Sequence, residues 1–339
     1  MFAFQRTGGG LMKHEDKRDV IFEIENLCTY FPGRKTNVVR AVDNVSLKVY
    51  RGETLGIVGE SGCGKSTLGK SIMYLEKPTS GKVFYNYDGE KIDITKFSKK
   101  ELFEFRKKVQ MVFQDPYSAL NPMKRVYESF HAPLKIHGYS NKEEREQMIS
   151  NALEMVNIQP DYMLRYPHEF SGGQRQRLCI ARALEINPDV LICDEPVSAL
   201  DVSIQAQVLN LMKEIQEKLN LTYLFIAHDL SVVEYMSDRI AVMYLGKIVE
   251  LADCSKLYAS PCHPYTQALL SAIPIPDIRN QKKREVLEGE VPSPICKPKG
   301  CAFHTRCKYC KEICKEIEPE LYEVEEGHCV ACHLYKRER

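Results

Sequence analysis

The sequence predicts an α/β fold in which a parallel sheet carries a phosphate-binding loop at the end of one strand. Three observations point to it. The run Gly59-Glu60-Ser61-Gly62-Cys63-Gly64-Lys65-Ser66 satisfies G-x-x-x-x-G-K-S/T at every fixed position. The apolar residues 54–58 before it read as a buried strand, and residues 66–73 after it as the opening of a helix. Two further apolar runs, 190–193 and 224–227, end in Asp194-Glu195 and His228-Asp229, as central parallel strands buried on both faces do.

Taken in order, Val20, Phe22 and Ile24 alternate with charged residues and predict a half-buried strand over 20–25; residues 45–49 repeat the pattern. In the glycine-rich loop the glycines let the backbone curl, so that successive N–H groups point at phosphate oxygens. Lys65 then reaches the outer phosphates and the Ser66 hydroxyl holds a magnesium ion. Residues 109–113 form another apolar run, ending at Gln114. From 115 to 170 the texture turns helical: Ser140 with Glu143 predicts a capping box, and Ile149, Leu153 and Val156 recur at helical spacing. Ser171-Gly172-Gly173-Gln174-Arg175-Gln176-Arg177 opens a helix over 174–185 with serine as cap, a second anion-binding helix N-terminus. A hairpin around Gly246 joins 240–245 to 248–251. Pro274, Pro276, Pro292, Pro294 and Pro298 bracket the charged run 281–285 and predict an extended linker, after which a separate small module begins near Cys296.

Composition narrows the function classes. The 339 residues suffice for two or three domains, and 44% hydrophobic with 27% charged is ordinary for a soluble chain. Lys and Arg number 47 against 46 Asp and Glu, so no global field draws the protein to nucleic acid or an acidic membrane. The absence of an apolar run of about eighteen residues, or of a signal-peptide series, predicts a cytoplasmic chain that does not cross a bilayer. Residues 1–10 match nothing after them and read as a disordered leader, with Met12 as an alternative start.

Asp194 stands where a phosphate loop needs an acid for magnesium, and Glu195 can diverge from it to polarise an attacking water. His228 and Gln114 each end an apolar strand, where one can orient that water and the other ligate magnesium or water. Alone, each is an ordinary polar strand end. One triphosphate is already held by Lys65, so the second cradle at Ser171 makes sense if it meets nucleotide held by another subunit.

In this order, residues 59–67, Gln114, 171–177, Asp194-Glu195, Ser198-Ala199-Leu200-Asp201 and His228 resemble the ATP-binding subunits of ABC transporters. Residues 111–116, 118–122, 201–207 and His263-Pro264-Tyr265-Thr266 resemble more narrowly the oligopeptide/dipeptide permease branch, especially its second ATPase subunit. The likeness covers roughly residues 20–335. It implies a phosphate-loop NTPase of ABC type: a RecA-like core, an antiparallel β subdomain and a helical insertion at about 115–175, all within 20–255. Around it would lie a leader over 1–19, an extension with Pro-rich linker over 256–295 and a metal-cluster module over 296–339. The resemblance further implies nucleotide contacts from Gly59, Glu60, Ser61, Gly62, Cys63, Gly64, Lys65, Ser66 and Thr67, and from Ser171, Gly172, Gly173 and Gln174 of the facing subunit. Asp194 and Asp201 complete the set, with magnesium on Ser66, Gln114 and Asp194. Glu195 is then the base, His228 the switch at the terminal phosphate, and Phe31 the aromatic on adenine, with Tyr30 its competitor. Residues 114–126 would receive a coupling helix. The implied partners are a second, related ATPase subunit, two transmembrane permease subunits and an extracytoplasmic substrate-binding protein, with no nucleic acid. The implied work is import of di- and oligopeptides, performed at the cytoplasmic face of the membrane. Nickel or oligosaccharide is the alternative cargo, and a soluble, non-transport ABC ATPase the alternative class.

Thirteen cysteines are present, and seven fall between Cys296 and Cys332, which favours metal over disulfide in a cytoplasmic chain. Cys28, Cys63, Cys179, Cys193, Cys254 and Cys262 read as small buried hydrophobes. Two metals remain open for the cluster. Cys307, Cys310, Cys329 and Cys332 have zinc-ribbon spacing. The family resemblance instead implies a 4Fe-4S cluster on Cys301, Cys307, Cys314 and Cys332. Either would staple a segment with few large apolar side chains.

Overall fold

The structure, a computed structural model, describes residues 19–33, 37–87, 89–273 and 289–335. The leader apart from Asp19, and the charged run 281–285 with Pro274 and Pro276, lie outside the described residues.

The chain begins with β1 (Val20–Pro32) and β2 (Val38–Tyr50), far longer than their alternating kernels, then β3 (Thr54–Val58) and α1 (Lys65–Ile72). β4 (Ser80–Tyr87), β5 (Glu90–Asp93), α2 (Lys99–Lys108) and β6 (Val109–Val112) follow. The helical insertion comprises α3 (Pro116–Ala119), α4 (Val126–Ile136) and α5 (Lys142–Met155), and leads into α6 (Gly172–Leu184). The cap of α5 is one residue later than the Ser140 expectation. Asn141 accepts from the N–H groups of Glu143 and Glu144, because its amide oxygen reaches both orphan donors of the first turn.

β7 (Val190–Asp194), α7 (Val202–Leu219), β8 (Thr222–Ile226), α8 (Leu230–Met236), β9 (Arg239–Tyr244) and β10 (Lys247–Asp253) complete the cassette. Beyond it come α9 (Cys254–Ala259), α10 (Pro264–Ser271), α11 (Glu312–Glu316), β11 (Tyr322–Glu325) and β12 (His328–Val330). The anticipated hairpin turns through Leu245 and Gly246, both at positive φ.

Two sheets form. The smaller, β2-β1-β4-β5, is antiparallel; the larger runs β11-β12-β10-β9-β3-β8-β7-β6, and its members β9, β3, β8, β7 and β6 are parallel. One apolar core lies between the sheets, where Phe22, Leu47, Ile57, Leu68 and Ile226 meet. The other lies on the opposite face of the large sheet, from Phe130 and Leu153 of the insertion through Leu178, Met212 and Phe225 to Tyr265 and Phe303. Every residue of β3, β7, β8 and β9 is buried, so polar chemistry is confined to the strand ends.

The cysteine-rich segment is not separate from this sheet. β12 pairs with β10, and Ala331 N–H donates to Val249 O at 2.8 Å, because β10 would otherwise leave a row of open backbone groups at the edge. The join is fastened by a buried pair. His328 Nε2 lies 2.7 Å from Glu250 Oε1, and Glu250 also accepts from the N–H groups of Cys262 and His263.

Hydrogen bonding to Glu250 holds the His328 pKa above the ordinary histidine range, against the opposing effect of burial. Its stabilisation is therefore complete below about pH 6.5 and lost as pH rises through the raised value. Hydrogen exchange of the β12 amides should accelerate on the alkaline side of that value in the wild type. In His328→Gln exchange should be faster throughout, without this added pH step.

Candidate functional site

The parallel register places four strand ends side by side. β3 runs into the glycine-rich loop, its neighbour β8 ends before Ala227-His228, β7 ends at Asp194-Glu195, and β6 is followed by Phe113-Gln114. Residues separated by more than a hundred positions thus share one edge.

Gly64 caps α1 at φ 107, and a Cβ there would stand 1.9 Å from the Ala41 carbonyl oxygen. The loop consequently lies against β2 and turns Lys65 inward, where its Nζ donates to Gly59 O at 2.8 Å and Glu60 O at 3.1 Å. The carbonyl of Cys63 accepts from Gly246 N–H at 2.8 Å, which ties the loop to the β9–β10 turn. At the start of α1, Ser66 Oγ donates to Asp194 Oδ1 at 2.7 Å. Burial raises the Asp194 carboxyl above the usual carboxylate range, against the lowering effects of the Ser66 hydrogen bond and the ammonium groups of Lys70 and Lys65. A hydroxyl and a buried carboxylate facing one another form an oxygen donor pair that fits a divalent cation.

Glu195 takes φ 48, and its N–H donates to Ile226 O at 2.8 Å, so its side chain leaves the direction of Asp194. Its Oε2 accepts from Gln114 Nε2 at 3.1 Å and lies 3.1 Å from His228 Nδ1. The two adjacent carboxylates therefore face different partners: one meets Ser66, the other Gln114 and His228. His228 is more than half exposed and Glu195 mostly covered, so the trio opens to solvent on its histidine side.

The second glycine-rich turn stands apart. Ser171 Oγ accepts from Gln174 N–H at 3.4 Å and Gln174 Oε1 accepts from Ser171 N–H at 3.0 Å, a capping box internal to α6. Gly172 lies beside Leu200 and Tyr117, Gly173 is buried, and Ser171 is exposed at the helix start. Asp201 caps α7 through Ile204 N–H at 3.1 Å and Ser203 Oγ at 2.7 Å. Of the two aromatic candidates, Tyr30 donates its hydroxyl to Asp43 Oδ1 at 2.7 Å, whereas Phe31 is a half-buried ring without a polar group to tether.

Cys301, Cys307, Cys314 and Cys332 line one small cavity, with His263, His304 and His333 at its wall. Gly300, at φ 67, lets residue 301 close on the Cys314 carbonyl, to which Cys301 N–H donates at 2.8 Å. Burial pushes the Cys301 thiol up to about 12, Cys332 to about 11 and Cys307 above its ordinary range. Ionising these three without a cation is therefore unfavourable, and four cysteines lining one cavity fit a thiolate-bound metal centre. The zinc-ribbon quartet is not assembled. Cys329 alternates away on β12, toward Glu323 and Arg239, and Cys310 lies outside the cavity wall. Cys254 and Cys262 are only half buried, and Cys262 Sγ lies within 4.8 Å of ligand atoms of Glu250 and His328. That acid and imidazole already satisfy each other.

Two residues at the loop, Tyr265 and Arg306, were not among the expected site residues. Tyr265 Oη accepts from Glu60 N–H at 2.8 Å, and Arg306 grips the Glu60 carboxylate through Nη1 at 2.8 Å and Nη2 at 3.1 Å. They lie 205 and 246 positions from Glu60, so local pattern could not connect them.

Known proteins resemble this chain along most of its length. The family described as "ABC transporter" matches residues 42–198, and "Oligopeptide/dipeptide transporter, C-terminal region" matches 249–314. The oligopeptide transport ATP-binding protein AppF of Bacillus subtilis (strain 168) is 53% identical over 327 residues, covering 94% of this chain and 98% of its own. The putative peptide import ATP-binding protein BOV_A0347 of Brucella ovis is 47% identical, covering 92% of this chain and 97% of its own. Among solved structures, the ADP- and phosphate-bound dimer of the ATP-binding cassette MJ0796 superposes with a TM-score of 0.61 at 30% identity, covering 69% of this chain and 99% of that one. CbiO1 from Clostridium perfringens gives a TM-score of 0.62 at 29% identity, covering 71% of this chain and 92% of that one.

The loop geometry separates two glycines, both at positive φ. Gly64→Ala also forces a Cβ into the Ala41 backbone and should cost about 3 kcal/mol or more in chemical denaturation, whereas Gly62→Ala, with open space around it, should cost only about 1 kcal/mol of backbone strain.

Proposed function

This chain belongs to the ATP-binding subunits of ABC transporters, in their oligopeptide/dipeptide branch, and on that premise we propose that it hydrolyses ATP to energise peptide import through a membrane permease. The observation that carries the reading is the meeting of Gln114 and His228 on Glu195 Oε2 beside the 2.7 Å Ser66–Asp194 contact. Water held at that corner is positioned between a base and the phosphate cradle.

Residues 59–67 hold the phosphates, with Lys65 at the outer ones and Phe31 against adenine. Ser66, Asp194 and Gln114 hold magnesium, which when bound neutralises phosphate charge. Glu195 takes a proton as the water oxygen attacks the terminal phosphorus and the bond to the leaving ADP oxygen breaks; His228 orients that water. Ser171 and Asp201 stand exposed at a helix entrance and a loop, with Gly172, Gly173 and Gln174 following Ser171, an arrangement suited to the nucleotide of a facing subunit. Closure of two subunits over ATP then brings Lys65 of one toward Ser171 of the other, as the dimeric state of the structural relative MJ0796 supports. The exposed side chains of Tyr117 and Met123 in the 114–126 segment suit docking by the permease.

None of the described helices is long and apolar enough to cross a membrane, so attachment through the permease gives a peripheral position on the cytoplasmic face. A related second ATPase subunit, two permease subunits and an extracytoplasmic binding protein complete the assembly. The relatives' names speak of peptides, which favours peptide over nickel or oligosaccharide as cargo.

Cys301, Cys307, Cys314 and Cys332 hold a 4Fe-4S cluster, whose chemistry here is to cross-link a segment with little apolar core. The purified complex should contain about four iron atoms per chain, with the broad visible absorption of such a cluster. Cys307→Ser should lose both. A colourless wild-type protein with one zinc per chain would overturn the iron assignment.

Glu195→Gln should reduce phosphate release by the permease-bound complex about 10²- to 10⁴-fold, with ATP binding retained. Turnover persisting at the wild-type rate would remove Glu195 as the base.

A further inference from the structure

Glu60 occupies a variable position of the phosphate loop, yet it is held at three points. Its carbonyl accepts from Lys65 Nζ at 3.1 Å, its N–H donates to Tyr265 Oη at 2.8 Å, and its carboxylate takes both arms of Arg306 at 2.8 and 3.1 Å. Two of these anchors belong to the C-terminal region. The Arg306 side chain is only 6% exposed, so the paired hydrogen bonds are little weakened by water.

Arg306 rides on a turn between two of the clustered thiols, and Phe303 beside that turn packs on Tyr265 of α10. Residues His304–Arg306 form a 3-10 turn, closed by His304 N–H on Cys301 O at 3.0 Å and by Arg306 N–H on Phe303 O at 3.0 Å. Cys307 follows directly. Phe303, fully buried, packs its ring 5.4 Å from that of Tyr265 and 5.3 Å from that of Tyr244. The spacing of Cys301 and Cys307 thus fixes where Arg306 and Phe303 stand, and these fix Glu60 from two directions.

We propose that Arg306 is a positioning residue that couples the thiol cluster to the phosphate loop, so that affinity for ATP depends on an intact cluster. The inference rests on the ATPase reading above. Cluster loss frees the turn, Arg306 releases Glu60, and the loop loses the fixed curl that presents its N–H groups and Lys65 to the phosphates. Chemistry at Glu195, on another strand end, is affected less than binding.

The test uses the complete transporter complex and two readouts: equilibrium affinity for a fluorescent ATP analogue, and KM and kcat for ATP. Arg306→Met should weaken affinity and raise KM about tenfold, with a smaller change in kcat. Arg306→Lys should recover part of the loss. Glu60→Gln should show the same direction of change, and the Arg306→Met/Glu60→Gln double variant should be no worse than Arg306→Met alone. Cys307→Ser should reproduce the shift, and adding it to Arg306→Met should contribute nothing more. Unchanged affinity in Arg306→Met, or additive losses in either double variant, would overturn the coupling. A wild-type complex that fails to turn over ATP would instead defeat the ATPase reading, so the two failures are distinguishable.

Discussion

Burial of the parallel strands on both faces is the constraint from which the rest of the molecule follows. With every residue of β3, β7 and β8 taken from water, a polar side chain inside them would lack a solvating partner. The strand ends are where such groups can stand. Because the strands are parallel neighbours, their ends coincide, and Lys65, Asp194, Glu195, Gln114 and His228 arrive together without any one loop having to span them. The positive φ of Glu195 then sends consecutive carboxylates to different partners.

The same constraint shapes the C-terminal region. β9 and β10 close one side of the large sheet, and an open antiparallel edge at β10 is covered by β12. With that pairing in place, the segment around Cys301–Cys332 is drawn against the cassette, and Phe303 enters the core beside Tyr244 and Tyr265. The buried Glu250–His328 pair, the Lys297–Asp43 pair and the Arg306–Glu60 pair all cross from this segment to the ATP-binding body. A poor core of its own thus becomes part of a larger one.

Much of the site was legible because its motifs are short and self-contained. Gly59 to Ser66 needs a strand before it and a helix after it, and both patterns are local; Ser171 as a helix cap is local too. Legibility failed where the partner is distant or the choice between neighbours is subtle. Ser140 and Asn141 are both good caps, and only the backbone path decides that Asn141 faces the open donors. Cys329 and Cys332 have the spacing of a metal pair, but strand alternation at β12 turns Cys329 toward the opposite face. Cys262 reads as an apolar filler, yet it stands beside Glu250 and His328.

The sequence by itself determined the α/β class, the phosphate loop, the second helix entrance and the acids that follow apolar strands, because each depends on residue types within a few positions of one another. Tertiary structure alone decided which of seven clustered cysteines share a cavity, which of Tyr30 and Phe31 is already tethered, and that Tyr265 and Arg306 reach Glu60. Those outcomes depend on chain segments more than ten to more than two hundred residues apart meeting in space, and on strand pairing that sets which face each side chain takes.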